Sequence, residues 1–183
     1  MKKICLVLCM MLSVVSISSL HASIVKVDSL YYELLTSAPK ANVVKCPATN
    51  LYLNYTSLRI PDSIEYRGVK YAVTGISENA FAKCTNLTSV ELPKTLVYID
   101  FRAFYGCTGL TELIIPDRVV TIMQRAFQHC EGLQIVKIGK NVQFIDANSF
   151  ADCYSLQEFR YPRGLDITEI RDAFREHTRL IPY

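Results

Sequence analysis

A period of 23 residues organises the chain from Val73 to the C-terminus. Phenylalanine, cysteine, leucine and isoleucine each recur at that spacing. They occupy Phe81, Phe104, Phe127 and Phe150; Cys84, Cys107, Cys130 and Cys153; Leu87, Leu110, Leu133 and Leu156; and Ile76, Ile99, Ile122 and Ile145. A fixed period of about 20 to 50 residues is typical of a solenoid, whose units bury their apolar sides only by stacking. The sequence therefore predicts a solenoid.

Each repeat is predicted to have two parts. Residues 87–93, Leu-x-x-Val-x-Leu-Pro, alternate as a strand does at Val90 and Leu92, and a proline or glycine ends the strand. Residues 80–87, Ala-Phe-x-x-Cys-x-x-Leu, space their apolar side chains three or four apart, which predicts one or two helical turns. Stacked units then share one core and one parallel sheet.

The expected fold class is thus an α/β solenoid. It has about five 23-residue units, with a parallel sheet on the concave side and short helices or turns on the convex side. The fifth unit begins at Ile167 and is cut short, and His177 stands where the cysteine should be. The phenylalanine column is expected to form the spine of the core.

The segment before the repeats does not share the period. Residues 23–72 contain short apolar stretches separated by turn signals such as Ala38-Pro39-Lys40, and Arg67-Gly68 fits the turn of a hairpin. We expect a small β-rich cap there, because a solenoid exposes its core at both ends. The predicted domains are this cap, residues 23–72, and the solenoid, residues 73–183, whose last repeat is partial.

The N-terminus is predicted to be a signal peptide, residues 1–22. Lys2 and Lys3 precede an apolar run from Ile4 to Val15, and Ala22 supplies the small residue expected before a cleavage site. The apolar run is short for a membrane-spanning helix, so an uncleaved anchor is the less favoured alternative. We therefore expect an exported protein, secreted, periplasmic or on the cell surface, without stable membrane insertion after cleavage.

Charge gives no reason to expect a nucleic acid or an anionic membrane as partner. The chain has 20 basic and 17 acidic residues, and loss of Lys2 and Lys3 with the signal peptide leaves 18 basic residues. The mature chain is therefore nearly neutral.

Five cysteines remain after cleavage, Cys46 and the four of the column, and no pair has C-x-x-C spacing. Zinc and dithiol redox motifs are thus unsupported. Equivalent positions of stacked repeats lie about 4.8 Å apart, whereas the Cβ atoms of a disulfide lie about 3.8 Å apart. We predict four buried, reduced core cysteines, with an occasional crosslink as the alternative.

No catalytic group, metal site or cofactor is predicted, and the chain is not expected to be an enzyme. His129 and Cys130 are adjacent but should point in opposite directions, outward and inward, so they do not make a nucleophile and base. The glycines are scattered and form no phosphate-binding loop.

Candidate binding residues lie between the buried positions of the predicted strands. One column contains Ser89, Glu112, Ile135 and Glu158, and its neighbour contains Glu91, Ile114, Lys137 and Arg160. Solenoids bind proteins through such faces, and Ile114 beside Ile135, rimmed by Glu112 and Lys137, suits the centre of a small interface. The alternative is a solvated sheet face with two ordinary apolar residues.

The repeat I-x-x-x-A-F-x-x-C-x-x-L-x-x-V-x-L-P resembles the BspA-type, or treponemal-type, leucine-rich repeat. Residues 76–93 carry every position of that pattern, and residues 60–76 are similar to the lead-in found before the first such repeat. Ser149 in place of alanine and Gly139 in place of proline are departures. The resemblance implies an exported or surface protein of bacteria, and several family members resemble adhesins for host matrix proteins or other microbes.

The expected function is an exported, non-enzymatic interaction module, adhesin-like, that binds through the concave sheet. Its partner would be a host matrix protein, a bacterial surface protein or a glycan. The alternative is a structural envelope component or rigid spacer with no ligand on the concave face. A remnant of a longer adhesin is a third interpretation, and it predicts an exposed apolar C-terminal end.

Overall fold

The computed structural model describes residues 23–47 and 51–183. The predicted signal peptide, residues 1–22, lies outside the described residues. The first eight strands are β1 Ser23–Val27, β2 Leu30–Leu34, β3 Lys40–Val44, β4 Ser57–Arg59, β5 Ser63–Tyr66, β6 Val69–Ile76, β7 Ser89–Glu91 and β8 Tyr98–Ile99. The others are β9 Glu112–Ile114, β10 Thr121–Ile122, β11 Ile135–Lys137, β12 Phe144–Ile145, β13 Glu158–Tyr161 and β14 Arg179–Pro182. Two short 3-10 helices, Leu51–Asn54 and Thr168–Ala173, are the helices of the described residues.

Two series of parallel strands run through the repeats. The first series pairs β4 with β7 and, separately, β9 with β11, β13 and β14. The second series pairs β6, β8, β10 and β12 in that order. Each complete repeat supplies one strand to each series, because the proline or glycine after the first strand turns the chain towards the second.

The N-terminal strands extend the second series. Strands β1, β2 and β3 pair antiparallel, and β3 pairs parallel with β6 across an irregularity between Ala41 and Asn42. Strand β5 pairs antiparallel with β6 through the turn at Arg67-Gly68, which confirms the predicted hairpin. Both turn residues have positive φ, 52° and 77°, as a two-residue turn matched to strand twist requires.

The segment between the phenylalanine and the strand is built of turns. Each repeat has two left-handed residues four positions apart: Asn79 and Lys83, Arg102 and Gly106, Arg125 and His129, and Asn148 and Asp152. A left-handed residue interrupts an α-helix, so the backbone bonds instead to the next repeat. Phe81 N–H donates to Ala103 O and Phe104 N–H to Ala126 O, both over 2.8 Å. The structure therefore has the turns, rather than the short helices, that the predicted fold class allowed.

The phenylalanine column is the spine of the core, as predicted. Consecutive rings from Phe81 to Phe150 stack with centroids 5.1, 5.3 and 5.2 Å apart, and Tyr52 extends the stack by 5.1 Å. At the other end Phe150 meets Phe159 edge-on, and Phe174 packs 4.7 Å from Phe159. One apolar cluster thus runs without a break from the N-terminal strands to the last turn.

The column cysteines are buried free thiols, which confirms their predicted place in the core. The thiol of Cys107 donates to Phe81 O over 3.2 Å, and that of Cys130 donates to Phe104 O over 3.3 Å. Burial raises the pKa of the Cys84 thiol to about 11 and that of Cys153 to about 12. These thiols therefore stay protonated at neutral pH and are poor nucleophiles.

Candidate functional site

The eight predicted residues lie on the first strand series, and we call the surface they form the strand face. Ile114 is opposite Lys137, which is opposite Arg160; Ile135 lies between Glu112 and Glu158 in the same way. Ile114 is 55% exposed, whereas Ile135 and Glu158 are only partly exposed. Ser89 and Glu91 belong to β7, which pairs with β4 and not with β9. The strand face is therefore divided between Glu91 and Ile114.

The C-terminal part of the strand face is occupied by contacts within the chain. The Glu158 carboxylate accepts a hydrogen bond from Arg160 Nε over 3.0 Å and also pairs with Arg179. The Tyr183 hydroxyl donates to Ile138 O, and the Lys137 ammonium lies 5.7 Å from the centre of the Tyr183 ring. The charged groups at this end thus already have partners.

The N-terminal part opens into a groove of about 540 Å³, which we call the β7–β9 groove. It takes in four of the predicted residues, Ser89, Glu91, Glu112 and Ile114. The sequence analysis missed the other lining residues: Arg59, Ile60, Pro61, Asp62, Val90, Leu92, Lys94 and Pro116. A signal for them was present, since Leu58-Arg59-Ile60-Pro61-Asp62 has the pattern of Leu113-Ile114-Ile115-Pro116-Asp117.

A missing hydrogen bond marks the floor of the groove. Elsewhere in the first strand series, the N–H of the residue that follows a strand donates a hydrogen bond to the last residue of the neighbouring strand or its equivalent. Ile60 N–H donates to Glu91 O over 3.0 Å, and Ile115 N–H donates to Lys137 O over 2.8 Å. Between β7 and β9 the equivalent bond would join Leu92 N–H to Ile114 O, and the described residues do not form it. A backbone donor and a backbone acceptor are therefore left for another molecule.

The residue that follows the proline or glycine ties some neighbouring turns together. Lysine at this position does not by itself open the ladder, because β11 and β13 pair although Lys140 stands there. Asp62 Oδ1 accepts a hydrogen bond from Lys94 N–H over 2.6 Å, and Asp117 Oδ1 accepts one from Lys140 N–H over 3.1 Å. These bonds tether β4 to β7 and β9 to β11. Between β7 and β9 the same position holds Lys94, whose side chain has no acceptor, so Asp117 N–H has no such tether among the described residues.

Gly139 lies very close to the preceding turn, although the tethered pair β4 and β7 has Pro93 at the equivalent position. A Cβ atom at this glycine would lie 2.2 Å from Pro116 O, so no larger residue fits without a shift of the backbone. The departure from the proline seen in other repeats is therefore a consequence of close packing between the turns after β9 and β11. The turns after β7 and β9 carry Pro93 and Pro116 instead.

The groove combines an apolar floor with a charged rim. Ile60 and Leu92 are buried beneath it, and Val90 and Ile114 complete the apolar lining. On the rim, Arg59 Nε lies 3.2 Å from Glu91 Oε2, but both side chains are exposed, so the pair contributes little to stability. The described residues place no cation against Glu112. The groove is suited to an apolar side chain next to a positive group.

The histidine next to the cysteine column takes part in a surface network. His129 Nδ1 lies 3.5 Å from Asp152 Oδ2, while Cys130 is fully buried on the inner side. Asp152 accepts hydrogen bonds from Gln128 Nε2, over 3.1 Å, and from the Tyr154 hydroxyl, over 2.9 Å, and these bonds lower the pKa of its carboxyl. The pair His129 and Cys130 is thus separated as predicted.

The described residues lack two further kinds of feature. No cluster of three or more histidine, cysteine, aspartate or glutamate side chains is arranged to hold a metal ion. No helix in the same residues is long and apolar enough to cross a membrane.

Comparison with known proteins identifies the repeat. Residues 50–181 match the family described as BspA type leucine rich repeat region, with six copies. The matched residues begin within the segment that the sequence analysis assigned to the cap, and they include β4. No curated protein sequence matches the chain.

Solved structures share the fold. A leucine rich cell surface protein from Faecalibacterium prausnitzii matches with a TM-score of 0.71 and 26% identity, over 88% of this chain and 43% of that one. The leucine rich repeat protein of T. pallidum matches with a TM-score of 0.64 and 21% identity, over 86% and 64%. The pneumococcal vaccine antigen PcpA matches with a TM-score of 0.56 and 15% identity, over 88% and 46%. The chain therefore spans less than two thirds of each of these relatives.

Proposed function

Because the chain belongs to the BspA-type leucine-rich repeat family, we propose that it is a non-enzymatic module that binds another protein through its strand face. The observation that carries this proposal is the β7–β9 groove beside Ile114. Protein interfaces have an apolar, well-packed centre with a polar rim, and the groove has both. The partner class is a host matrix protein or a bacterial surface protein, with a glycan as the other possibility.

We further propose that the protein works outside the cytoplasm. Residues 1–22 would act as a signal peptide cleaved after Ala22, residues 23–72 as the N-terminal cap, and residues 73–183 as the solenoid. The relative from Faecalibacterium prausnitzii is described as a cell surface protein, which supports the same location for this chain. Export is consistent with a nearly neutral mature chain.

A second candidate function is a structural spacer of the cell envelope. The observation that favours it is the C-terminal part of the strand face, where the Glu158 carboxylate pairs with both Arg160 and Arg179. Charged side chains that pair within the chain leave few unpaired charges for a ligand to bind. In this function the contacts to partners would lie on the N-terminal strands or on the last turn.

The test is capture of defined partners by purified protein. Ile114→Arg combined with Ile135→Glu places charges at the centre of the strand face. We expect this double variant to weaken capture of purified host matrix proteins or bacterial surface fractions by at least about tenfold. Met123→Arg is the matched control, because Met123 is an exposed apolar side chain that directly follows β10 of the second strand series. Unchanged capture by the double variant would reject the strand face as the site.

A further inference from the structure

We infer that the β7–β9 groove binds an extended peptide segment of the partner protein, with one apolar side chain in the groove and a basic side chain against Glu112. This inference rests on the proposed function and specifies its ligand. The volume of about 540 Å³ lies within the range of pockets that enclose small ligands, so it suits a few residues of a peptide rather than a folded surface.

The missing backbone hydrogen bond between β7 and β9 favours a ligand that contains a peptide group. Leu92 N–H lacks an acceptor and Ile114 C=O lacks the equivalent donor among the described residues, and both residues line the groove. One peptide unit supplies a carbonyl and an N–H together, as in recognition by addition to a sheet edge. A purely apolar ligand would leave both backbone groups buried and unsatisfied, at a cost of about 1–3 kcal/mol for each group.

The spacing of the strands fixes how the peptide lies. Cα atoms of β7 and β9 still approach within 8 Å. A third strand between them would require about 9.6 Å, twice the separation of neighbouring strands. The peptide therefore crosses above the gap and contacts it through one peptide unit, instead of completing the sheet. Its apolar side chain packs against Val90 and Ile114.

The charge on the rim of the groove determines which side chain of the peptide lies next to its apolar side chain. Glu91 is paired with Arg59, and Asp62 accepts the Lys94 N–H; within the part of the chain that the structure describes, Glu112 is the rim carboxylate with neither an ion pair nor a hydrogen bond. Glu112 begins β9, whereas Lys94 follows the end of β7. Because these strands are parallel, the two charges lie at opposite ends of the groove. The basic residue of the ligand is therefore placed at the start of the strands.

The experiment uses a dodecapeptide library displayed on phage and the protein expressed from its full sequence. Selection on the wild-type protein, with depletion on Ile114→Arg, should enrich peptides that have leucine, isoleucine, methionine or phenylalanine within two positions of lysine or arginine. An enriched peptide, made synthetically, should shift the NMR amide signals of Leu92 and Ile114. Replacement of its basic residue by glutamate should weaken binding by at least about fivefold.

Glu112→Lys should reverse this preference of lysine over glutamate. Glu131→Lys, a charge reversal at an exposed turn residue that does not line the groove, should leave the preference within about twofold. Circular dichroism melts show whether each variant is folded. The inference is overturned if no peptide depends on Ile114, or if the amide shifts fall outside the groove. If matrix-protein capture still requires the strand face in that case, the proposed function stands and only its peptide ligand is rejected.

Discussion

At the scale of single residues, Ser149 is the one member of its column that carries a hydroxyl. Ala80, Ala103 and Ala126 occupy the equivalent positions and are buried. Ser149 is equally buried, and its Oγ has no hydrogen-bond partner. A buried hydroxyl without a partner loses its hydration without compensation. The residue therefore destabilises the fold in comparison with the alanine of the other repeats.

We predict that Ser149→Ala raises the free energy of unfolding by about 1–2 kcal/mol, because it removes the unsatisfied hydroxyl at little cost in volume. Urea denaturation followed by circular dichroism measures the change. The reverse substitution in the neighbouring repeat, Ala126→Ser, should lower the free energy of unfolding by a similar amount. Equal stability of wild type and Ser149→Ala would mean that the hydroxyl has a partner after all.

The buried cysteines of the column are expected to make the free energy of unfolding fall as the pH becomes alkaline. In the unfolded chain a thiol has a pKa of about 8.5, whereas burial raises that of Cys153 to about 12. The unfolded state thus loses a proton that the folded state keeps. The stabilising contribution is complete below about pH 8.5 and is lost between that value and about pH 12.

We predict that Cys153→Ala makes the free energy of unfolding less dependent on pH. At pH 10 the wild-type thiol should have lost about 2 kcal/mol of the contribution that it makes at pH 7.5, at about 1.4 kcal/mol per pH unit. Urea denaturation of both proteins at the two pH values, with a reducing agent present, measures the difference. The prediction fails if the loss from pH 7.5 to pH 10 is the same in both proteins.

At the scale of elements, spacing alone could not distinguish a helix from the turns observed. Apolar residues three or four apart, such as Phe81, Cys84 and Leu87, face inward in either structure. Asn79 and Gly106 belong to residue types that adopt positive φ readily, but Arg102 and Arg125 do not. Stacking decides the conformation, because the backbone donors bond to the next repeat. A local pattern contains no information about that neighbour.

The candidate site was predictable only in part, because the pattern of one repeat contains no information about its contacts with the next repeat. Strand alternation placed Glu112 and Ile114 on one face, and the structure confirms that arrangement. The groove depends on a hydrogen bond that is absent between two repeats, so no single repeat reveals it. One difference at this boundary was nevertheless visible in the sequence, because Lys94 stands where two other repeats have Asp62 and Asp117, although Lys140 occupies the same position before the paired strands β11 and β13.

We predict that Lys94→Asn closes the groove. The side-chain oxygen of asparagine can accept a hydrogen bond from Asp117 N–H, which should raise the free energy of unfolding by about 1 kcal/mol. Hydrogen exchange of the Asp117 amide should slow, and binding of groove peptides should weaken. Lys140→Asn is the matched control, since the equivalent amide of the next turn, Arg163 N–H, already donates to Tyr183 O. Unaltered exchange at Asp117 would show that the tether does not determine the opening.

At the scale of the whole molecule, the core is continuous although the first strand series is interrupted. The stacked rings from Tyr52 to Phe150 pass beneath the groove without a break. The second strand series is also continuous from β1 to β12. Repeat proteins gain stability mainly from contacts between neighbours, so both features couple the two ends in unfolding. The 23-residue period predicted this continuity because every column has a member in each of the four complete repeats.

We predict that Phe104→Ala lowers the free energy of unfolding by about 3–5 kcal/mol, the usual cost of removing a buried aromatic ring. The chain contains no tryptophan, so single probes at Tyr55→Trp and Tyr161→Trp report on its two ends. Both probes should show one shared transition, displaced equally by Phe104→Ala. Two separate midpoints would indicate that the ends unfold independently.

The residues of the inward columns keep the repeat array folded. The residue after the proline lies on the surface, where one array can differ from another. The inward columns tolerate little change, because each member is packed against its copies in the adjacent repeats. The boundary between β7 and β9, where Lys94 replaces the aspartate, is open, whereas β11 and β13 stay paired although Lys140 stands at the same position. Duplication of such repeats followed by substitution of surface residues can therefore change what a boundary offers to a partner, while the inward columns and the fold are inherited unchanged.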